Sequence, residues 1–448
     1  MSSRRDTVLE ILHITAHCGG GVGTVLQNYL KYKSGDNSQK HKLISLDSIN
    51  TGAKTFFKNN AIEFIDNIHK KYSFLNQKIK SSDIVVFHWW NHPLIMDLLV
   101  NVGLPACRIA IWSHISGTPP PNTFTNKLLE YPDIFVFTTP LSYLSPEYKN
   151  LSEKNKNRIR LIWSTGGVER LKHLKLTKHN YFHIGYIGNL DFTKMHPDFV
   201  NICKKVSFKD TRFTVIGPIN KKVLEQVKKL KVTRRIRFTG YISEKNKWNE
   251  LSTFDVFGYP LASHHYGTCD QALQEAMAVG VVPVVLNNPM ECFMVQNNGT
   301  GLVANSIVDY VNCLNILKKN ITLRKKLSDN AKKYAFEEYS LNKMARKWDN
   351  LYEDLIRIKK TAKVWERPSK SIKLKSYAVF VESLGANSGI FDQYLTGNNI
   401  KKVKAIGQMA SLGRKENWTS ENKSTVHQYA KFFPKDKILQ RWSKIMKS

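Results

Sequence analysis

Two short stretches hold the residues whose types and spacing could do chemistry. The first, HCGGGVGTVLQNYL, runs from His17 to Leu30. It follows an apolar run at 8–15 and opens a helix-like segment, so Gly19, Gly20, Gly21 and Gly23 form a strand-to-helix turn with little side-chain bulk. Backbone N–H groups in such a turn can approach a ligand closely, which suits a phosphate or a sugar. A plain connection is the alternative. No acidic residue ends a second strand where a dinucleotide fingerprint would require it.

The second stretch, HHYGTCDQALQEAMAVGVVPVV, spans His264 to Val285. Thr268 is a helix N-cap candidate, and Gln271 three residues later completes a capping box. Ala272, Leu273, Ala276 and Met277 would form the buried face, and Gly280 would end the helix before a strand. The amides at Thr268 and Cys269, at the positive end of the helix, then make an anion site. Glu275 lies seven residues beyond this cap, roughly 10 Å along the axis. A diphosphate at the helix end would bring the attached ribose to about that distance, and one carboxylate can accept hydrogen bonds from both hydroxyls of a cis-diol. The bland alternative is a solvated glutamate on the outer face.

Other residues weigh less. Trp89, Trp90 and His92 follow a strand-like run and could form a stacking surface for an acceptor sugar; packing at a domain edge is the competing reading. His264 and His265 read as loop histidines, and runs such as NKKVLEQVKKLK as solvated helix faces. There is no Asp-x-Asp and no clustered His, Cys and carboxylate spacing, so neither a metal nor a cofactor is expected.

Positioning these residues requires more than one core, and 448 residues are enough for two domains with an appendage. β-rich runs at 8–15, 42–46, 83–90, 108–114, 133–139 and 158–164 alternate with helical segments, which predicts a parallel sheet covered by helices. The pattern restarts at 181–190, 212–218, 235–241, 255–261 and 281–287. Two doubly wound domains are expected, 1–172 and 173–345, followed by a closing helix over 346–360 and a basic extension over 361–448. Ligands of open parallel sheets sit beyond the carboxyl ends of the strands, so the expected site lies between the two sheets. The extension holds 17 Lys or Arg against 6 Asp or Glu, with Trp365, Phe391, Trp418, Tyr429, Phe432, Phe433 and Trp442. That many aromatics predict an appended module or docked helices rather than a disordered tail. The formal net charge of +32 favours anionic partners. No window predicts a signal peptide or a membrane span, and six scattered cysteines read as reduced thiols in a cytosol.

QEAMAVGVVPVV, followed by Glu291 and NNGTGLV, resembles the second-domain signature of the retaining glycosyltransferases of family 4, which have the GT-B fold of two facing Rossmann-like domains. GGGVG resembles their first-domain glycine loop, IWSHISG the strand end carrying an active-site histidine, YIGNLDFTK their Gly-Arg-Leu…Lys element, and FDVFGYP the segment before the nucleotide helix. The likeness covers about 350 residues. It implies an α/β GT-B fold and metal-independent transfer of a sugar, with retention, from a nucleotide-diphosphate donor, UDP-linked by preference, to a glycan or lipid-linked acceptor in cell-surface polysaccharide synthesis. It further implies that Glu275 binds the ribose and Lys194 the diphosphate. His114 would lie near the reacting sugar, and Gly20, Gly21 and Gly23 would close on the donor. Gly267, Thr268, Cys269 and Gln271 line the same nucleotide subsite. Two departures stand out: Asn189 replaces the family's arginine, and the first glutamate of the pair is absent, strict spacing putting Gly267 there and alignment of HHYG with the family's glutamate-containing loop putting His264 there with three residues inserted. A cytoplasmic enzyme held peripherally at an anionic membrane face is the expectation. The competing readings are a catalytically weak GT-B scaffold acting as a partner subunit, and a nucleic-acid-binding protein. The latter lacks any helix-turn-helix, zinc-finger or RNP signature.

Overall fold

Apolar runs separated by helices cannot pair as hairpins: each helix carries the chain back across the sheet, and the next strand must run parallel to the last. The structure, a computed structural model describing residues 8–206, 210–265, 269–367 and 373–448, has this organisation. It divides into two compact units, Met1–Gly166 with Met344–Ser448, and Gly167–Lys343.

The first unit contains β1 (Leu9–Thr15), β2 (Gln39–Ser45), β3 (Glu63–Ile65), β4 (Ile84–Trp89), β5 (Leu104–Cys107), β6 (Ile109–Ser113), β7 (Ile134–Phe137) and β8 (Ile159–Leu161). Seven of these form a parallel sheet in the order β3-β2-β1-β4-β6-β7-β8. Every residue of β4 and β6 is buried, as expected for central strands covered on both faces. The short strands β3 and β5 were not among the runs expected from sequence.

The second unit contains β9 (Phe182–Ile187), β10 (Thr211–Ile216), β11 (Ile236–Gly240), β12 (Val256–Tyr259), β13 (Val282–Leu286) and β14 (Leu302–Ala304), ordered β11-β10-β9-β12-β13-β14 and parallel throughout. Its layers pack closely: a Cβ added at Gly185 would lie 1.9 Å from the Phe254 ring.

From Met344 the chain belongs again to the first unit. In the helix Leu341–Ile356, Trp348 packs 4.7 Å from the ring of Trp112, and the Tyr352 hydroxyl lies 3.1 Å from that of Tyr29. Beyond it, β15 (Thr361–Lys363) pairs antiparallel with β5. The helices Ser376–Leu384, Gly389–Thr396, Asn399–Gly413, Val426–Phe432 and Lys437–Ile445 follow. Phe380, Phe391, Trp418, Tyr429 and Trp442 join one apolar cluster with Leu94, Leu98 and Leu99 of the helix Pro93–Asn101. The basic extension is therefore docked helices sharing the core of the first unit, and not a module with a core of its own.

Candidate active site

The helix Gln271–Val279 is built from good helix formers and stops where it must: Gly280 adopts φ 92°, a left-handed conformation that glycine takes without steric cost. The Ser328 hydroxyl donates to the Gly280 carbonyl at 2.5 Å. Every residue from Leu273 to Val279 is buried, so the helix is enclosed beyond its first turn and Glu275 does not lie on a solvated face.

The start of this helix differs from the sequence expectation. Asp270, not Thr268, occupies the N-cap position, and its side chain makes no capping bond. The reason is electrostatic: the buried Asp270 carboxylate takes a hydrogen bond from Lys194 Nζ at 2.6 Å. Glu275 thus stands five residues past the cap, about 7.5 Å along the axis instead of 10 Å. Gly267 and Thr268 lie outside the described residues. Cys269 is buried and its sulfur accepts from Gln274 Nε2, while Gln271 is half-buried in the first turn.

Lys194 is delivered by the loop after β9. There Gly188 has φ 156°, and an Asp191 turn accepts from the Thr193 and Lys194 amides. Lys194 itself is only 9% exposed and stands 5.4 Å from the ring of Tyr259, the last residue of β12. Asn189 is exposed on the same loop and brings no cation there. Nearby, His265 Nε2 straddles both oxygens of the buried Glu291, at 3.0 and 3.2 Å. Burial opposes charge on this imidazole, yet the Glu291 carboxylate and its hydrogen bond outweigh burial and hold the His265 pKa above its ordinary value. The loop-histidine expectation fits His264, which is exposed, but not His265.

Glu275 faces two cations. Arg170 Nη2 lies 3.1 Å from Oε1, and Lys247 Nζ lies 2.9 Å from Oε1 and 2.7 Å from Oε2. Arg170 is itself held by Glu244 at 2.5 Å, by the Gly167 carbonyl at 2.9 Å, and against the Trp248 ring at 5.0 Å. A buried carboxylate needs such partners. Sequence reasoning gave no role to Asp270, Arg170 or Lys247, read His265 as a loop histidine and met Glu291 only as part of a signature, because their meeting depends on strand order and not on spacing.

In the first unit the helix Gly20–Lys33 begins inside the glycine run. Gly20 has φ 63°, and a Cβ at Gly23 would lie 2.2 Å from the Cys18 carbonyl oxygen, so the helix can start this close to β1 only without a side chain. Gly20 and Gly21 are exposed at this end. His114 follows β6; its amide donates to the Trp89 carbonyl and its Nε2 meets His88 Nδ1 at 2.9 Å. Of the two readings of Trp89, Trp90 and His92, packing is the one the structure fits, since all three are buried. Trp89 donates to the Met96 sulfur, His92 caps the helix Pro93–Asn101 through Nδ1, and Phe432 packs 4.6 Å from the His92 ring. Packing explains them. Among the described residues no group of three or more His, Cys, Asp or Glu is arranged to hold a metal ion.

The segment that carries Lys194, the helix start and Glu275 is similar to a known family. Residues 169–334 match the family model of the glycosyl transferases group 1. A search of curated proteins gives no match. Among solved structures, a glycosyltransferase from Rickettsia africae is similar at 17% identity and TM-score 0.64, over 78% of this chain and 99% of that one. Anabaena Alr3699/HepE, solved in complex with UDP and glucose, is similar at 12% identity and TM-score 0.61, over 78% and 100%. The lipopolysaccharide outer core galactosyltransferase WaaB is similar at 14% identity and TM-score 0.57, over 78% and 100%. At these identities the likeness establishes the fold: two Rossmann-like parallel sheets of the GT-B class. The group 1 match covers Lys194, Asp270, Glu275 and Glu291 together.

Proposed function

We propose that this protein is a retaining glycosyltransferase that moves a sugar from a nucleotide-diphosphate donor to a hydroxyl of a glycan or lipid-linked acceptor. The observation that carries this is the helix Gln271–Val279. Within the segment matching group 1, it brings a buried lysine to its N-cap and holds a buried carboxylate one and a half turns later. UDP is the favoured carrier, since the similar HepE was solved with UDP and glucose.

In this reading the diphosphate displaces Asp270 as the partner of Lys194 and sits at the helix start, while the ribose diol donates to Glu275. The anomeric carbon's bond to the phosphate oxygen breaks, and its bond to the acceptor oxygen forms on the same face. The acceptor's proton passes to the departing phosphate. Negative charge grows on the leaving oxygen, so fixed donors aimed there supply the largest catalytic contribution, and losing one typically costs ~10²–10³ in rate. Lys194 and the first amides of the helix are those donors in the second unit; the family resemblance assigns Gly20, Gly21 and Gly23 to closing on the donor and His114 to the reacting sugar. The reading names no metal among its charge-stabilising groups. The basic extension supports work at an anionic membrane face. Ile400 and Val403, 80% and 70% exposed, sit among exposed Lys401, Lys402 and Lys404 on the helix Asn399–Gly413. Each such lysine adds about 1 kcal/mol of attraction to an anionic surface. Asn189, exposed where a second cation is expected, favours the scaffold reading instead.

One experiment separates them. Purified protein is screened by thermal shift against UDP-, GDP-, ADP- and CMP-sugars, since a ligand that binds only the folded state raises the midpoint. The product formed from the best donor is then examined by NMR for anomeric configuration. A retained anomer supports the transferase; no stabilisation and no turnover with any donor would assign the chain to the scaffold class.

A further inference from the structure

Four histidines form an unbroken row across the sheet of the first unit. His41 Nδ1 lies 2.8 Å from His13 Nε2, His13 Nδ1 lies 3.0 Å from His88 Nε2, and His88 Nδ1 lies 2.9 Å from His114 Nε2. They come from β2, β1, β4 and the residue after β6, which is the order of those strands in the sheet. His13 and His88 are fully buried, His114 nearly so, and the rings of Tyr29 and Trp112 enclose the row.

A neutral imidazole has one N–H and one lone pair. Each link in the row must therefore set an N–H against a lone pair, and fixing the proton on one ring fixes it on all of them. Only two arrangements exist: every proton on Nε2 or every proton on Nδ1. The far end of the row decides. Gln39 Nε2 donates to Asp349 Oδ1 at 2.9 Å, and that carboxylate, also paired with Lys33 Nζ at 2.9 Å, can only accept. The amide nitrogen of Gln39 must therefore face Asp349, which turns its oxygen toward His41 Nε2 at 3.2 Å. An amide oxygen can only accept, so the proton of His41 is on Nε2.

We infer that His41, His13, His88 and His114 are all held as Nε2–H tautomers, so that His114 presents a bare Nδ1 lone pair and reads a sugar hydroxyl as a hydrogen-bond acceptor. Burial keeps the row uncharged: it pushes His13 and His114 down to about 3, and His41 and His88 well below their ordinary value. His114 therefore neither donates to a phosphate oxygen nor holds a proton as a base. Gln39, Asp349, His41, His13 and His88 are positioning residues that act through it. The hydroxyl assignment rests on the transferase reading; the tautomer assignment does not.

Two measurements on the full chain test the two halves separately. In protein labelled with ¹⁵N-histidine, N–N couplings across the hydrogen bonds pick out the row in the wild type, and long-range ¹H–¹⁵N correlations at pH 7.5 report where each proton sits. Four Nε2–H rings are expected; any ring of the row with its proton on Nδ1, or doubly protonated, overturns the assignment. Gln39→Leu, which removes the terminal acceptor, should then populate both tautomers; a row that stays wholly Nε2–H shows that Gln39 does not set its direction. For the hydroxyl, the best donor of the screen is compared with its single-deoxy analogues. Removing one hydroxyl should lower kcat/KM by about 10–100-fold in the wild type and by far less in His114→Leu. Equal use of all analogues by the wild type refutes the contact. Failure to turn over any donor refutes the transferase reading and leaves the NMR result standing on its own.

Discussion

Glu275→Gln separates a nucleotide-binding carboxylate from a structural one. The substitution keeps the volume and removes the charge from a side chain only 6% exposed. Arg170 retains Glu244 at 2.5 Å and the Gly167 carbonyl at 2.9 Å, and Lys247, 23% exposed, can turn to water. The loss to folding is therefore that of hydrogen bonds to a charged acceptor, ~1–3 kcal/mol, and not the larger cost of stranding a buried cation. If the ribose diol donates to this carboxylate, glutamine can still accept one of its two hydrogen bonds. The variant then loses one charge-assisted bond, ~1.5–3 kcal/mol, or about 10–150-fold in Kd. The assay is calorimetric titration of wild type and variant with UDP, or whichever nucleoside diphosphate the thermal screen selects, and with its 2′,3′-dideoxy form. Affinity for the ribose form should fall while affinity for the dideoxy form stays nearly level between the two proteins. Equal weakening of both forms, or a lowered melting point with unchanged Kd, would refute the ribose role and leave Glu275 as the centre of an ion-pair cluster.

Lys194→Ala should lower turnover by ~10²–10³; because it also strands the buried Asp270, Lys194→Ala/Asp270→Asn should recover folding stability without recovering rate, and recovery of both would remove Lys194 from the chemistry. From pH 7.5 to 5.5 the unfolded chain takes up protons on His13, His41, His88 and His114 near the ordinary value of about 6.5, while the folded row, its pKa values depressed by burial, does not. The row's contribution to the stability of the first unit should thus fall as the pH falls, by ~4–6 kcal/mol, since each of four rings takes up on average about half a proton over these two pH units at about 1.4 kcal/mol per proton and pH unit. Buried His92 acts in the same direction, and urea midpoints level across that range would contradict that fall. His265 in the other unit has the opposite sign: its raised pKa adds stability below about 6.5 that is lost as the pH rises. Replacing Lys401, Lys402 and Lys404 with Glu, or Ile400 and Val403 with Ser, should abolish sedimentation with anionic liposomes and leave the melting point unchanged, since all five side chains are exposed; undiminished binding would exclude this helix. Deleting 361–448 is not an equivalent test, because it strips Phe380, Phe391, Tyr429 and Trp442 from the core of the first unit.

The sheets and the second-sheet helix were legible in the sequence because local patterns determine them. Alternating β-rich and helical runs permit little besides a parallel sheet, and Gly280 before a second apolar run marks a left-handed helix end. The helix start was misplaced because the capping rule assumes that an oxygen-bearing side chain near the first turn is available to the helix amides. Asp270 is not, being taken by Lys194, a residue 76 positions away. The same limit hid the partners of Glu275, which arrive from residues 170 and 247. Trp89, Trp90 and His92 left two readings open for the converse reason: an aromatic cluster at a strand end can be a ligand surface or packing until the segment that covers it, here Phe432 and Ser424 of the extension, is in place.

The histidine row marks the boundary between what pattern and what topology can specify. Each member sits in or beside a strand-like run, in LHI, KHK, FHW and SHI, and taken singly each reads as a buried polar residue. Only the crossovers that set β2, β1, β4 and β6 side by side make neighbours of positions 41, 13, 88 and 114. Register then aligns the rings, with His13 opposite Leu43 and Val86, and His88 opposite Trp112. A buried histidine without a partner is costly, and four in contact satisfy one another only if their protons all point the same way. Folding the sheet therefore sets the protonation of a site at its edge: an acceptor-only carboxylate at Asp349, reached through Gln39, dictates which nitrogen of His114 is left bare.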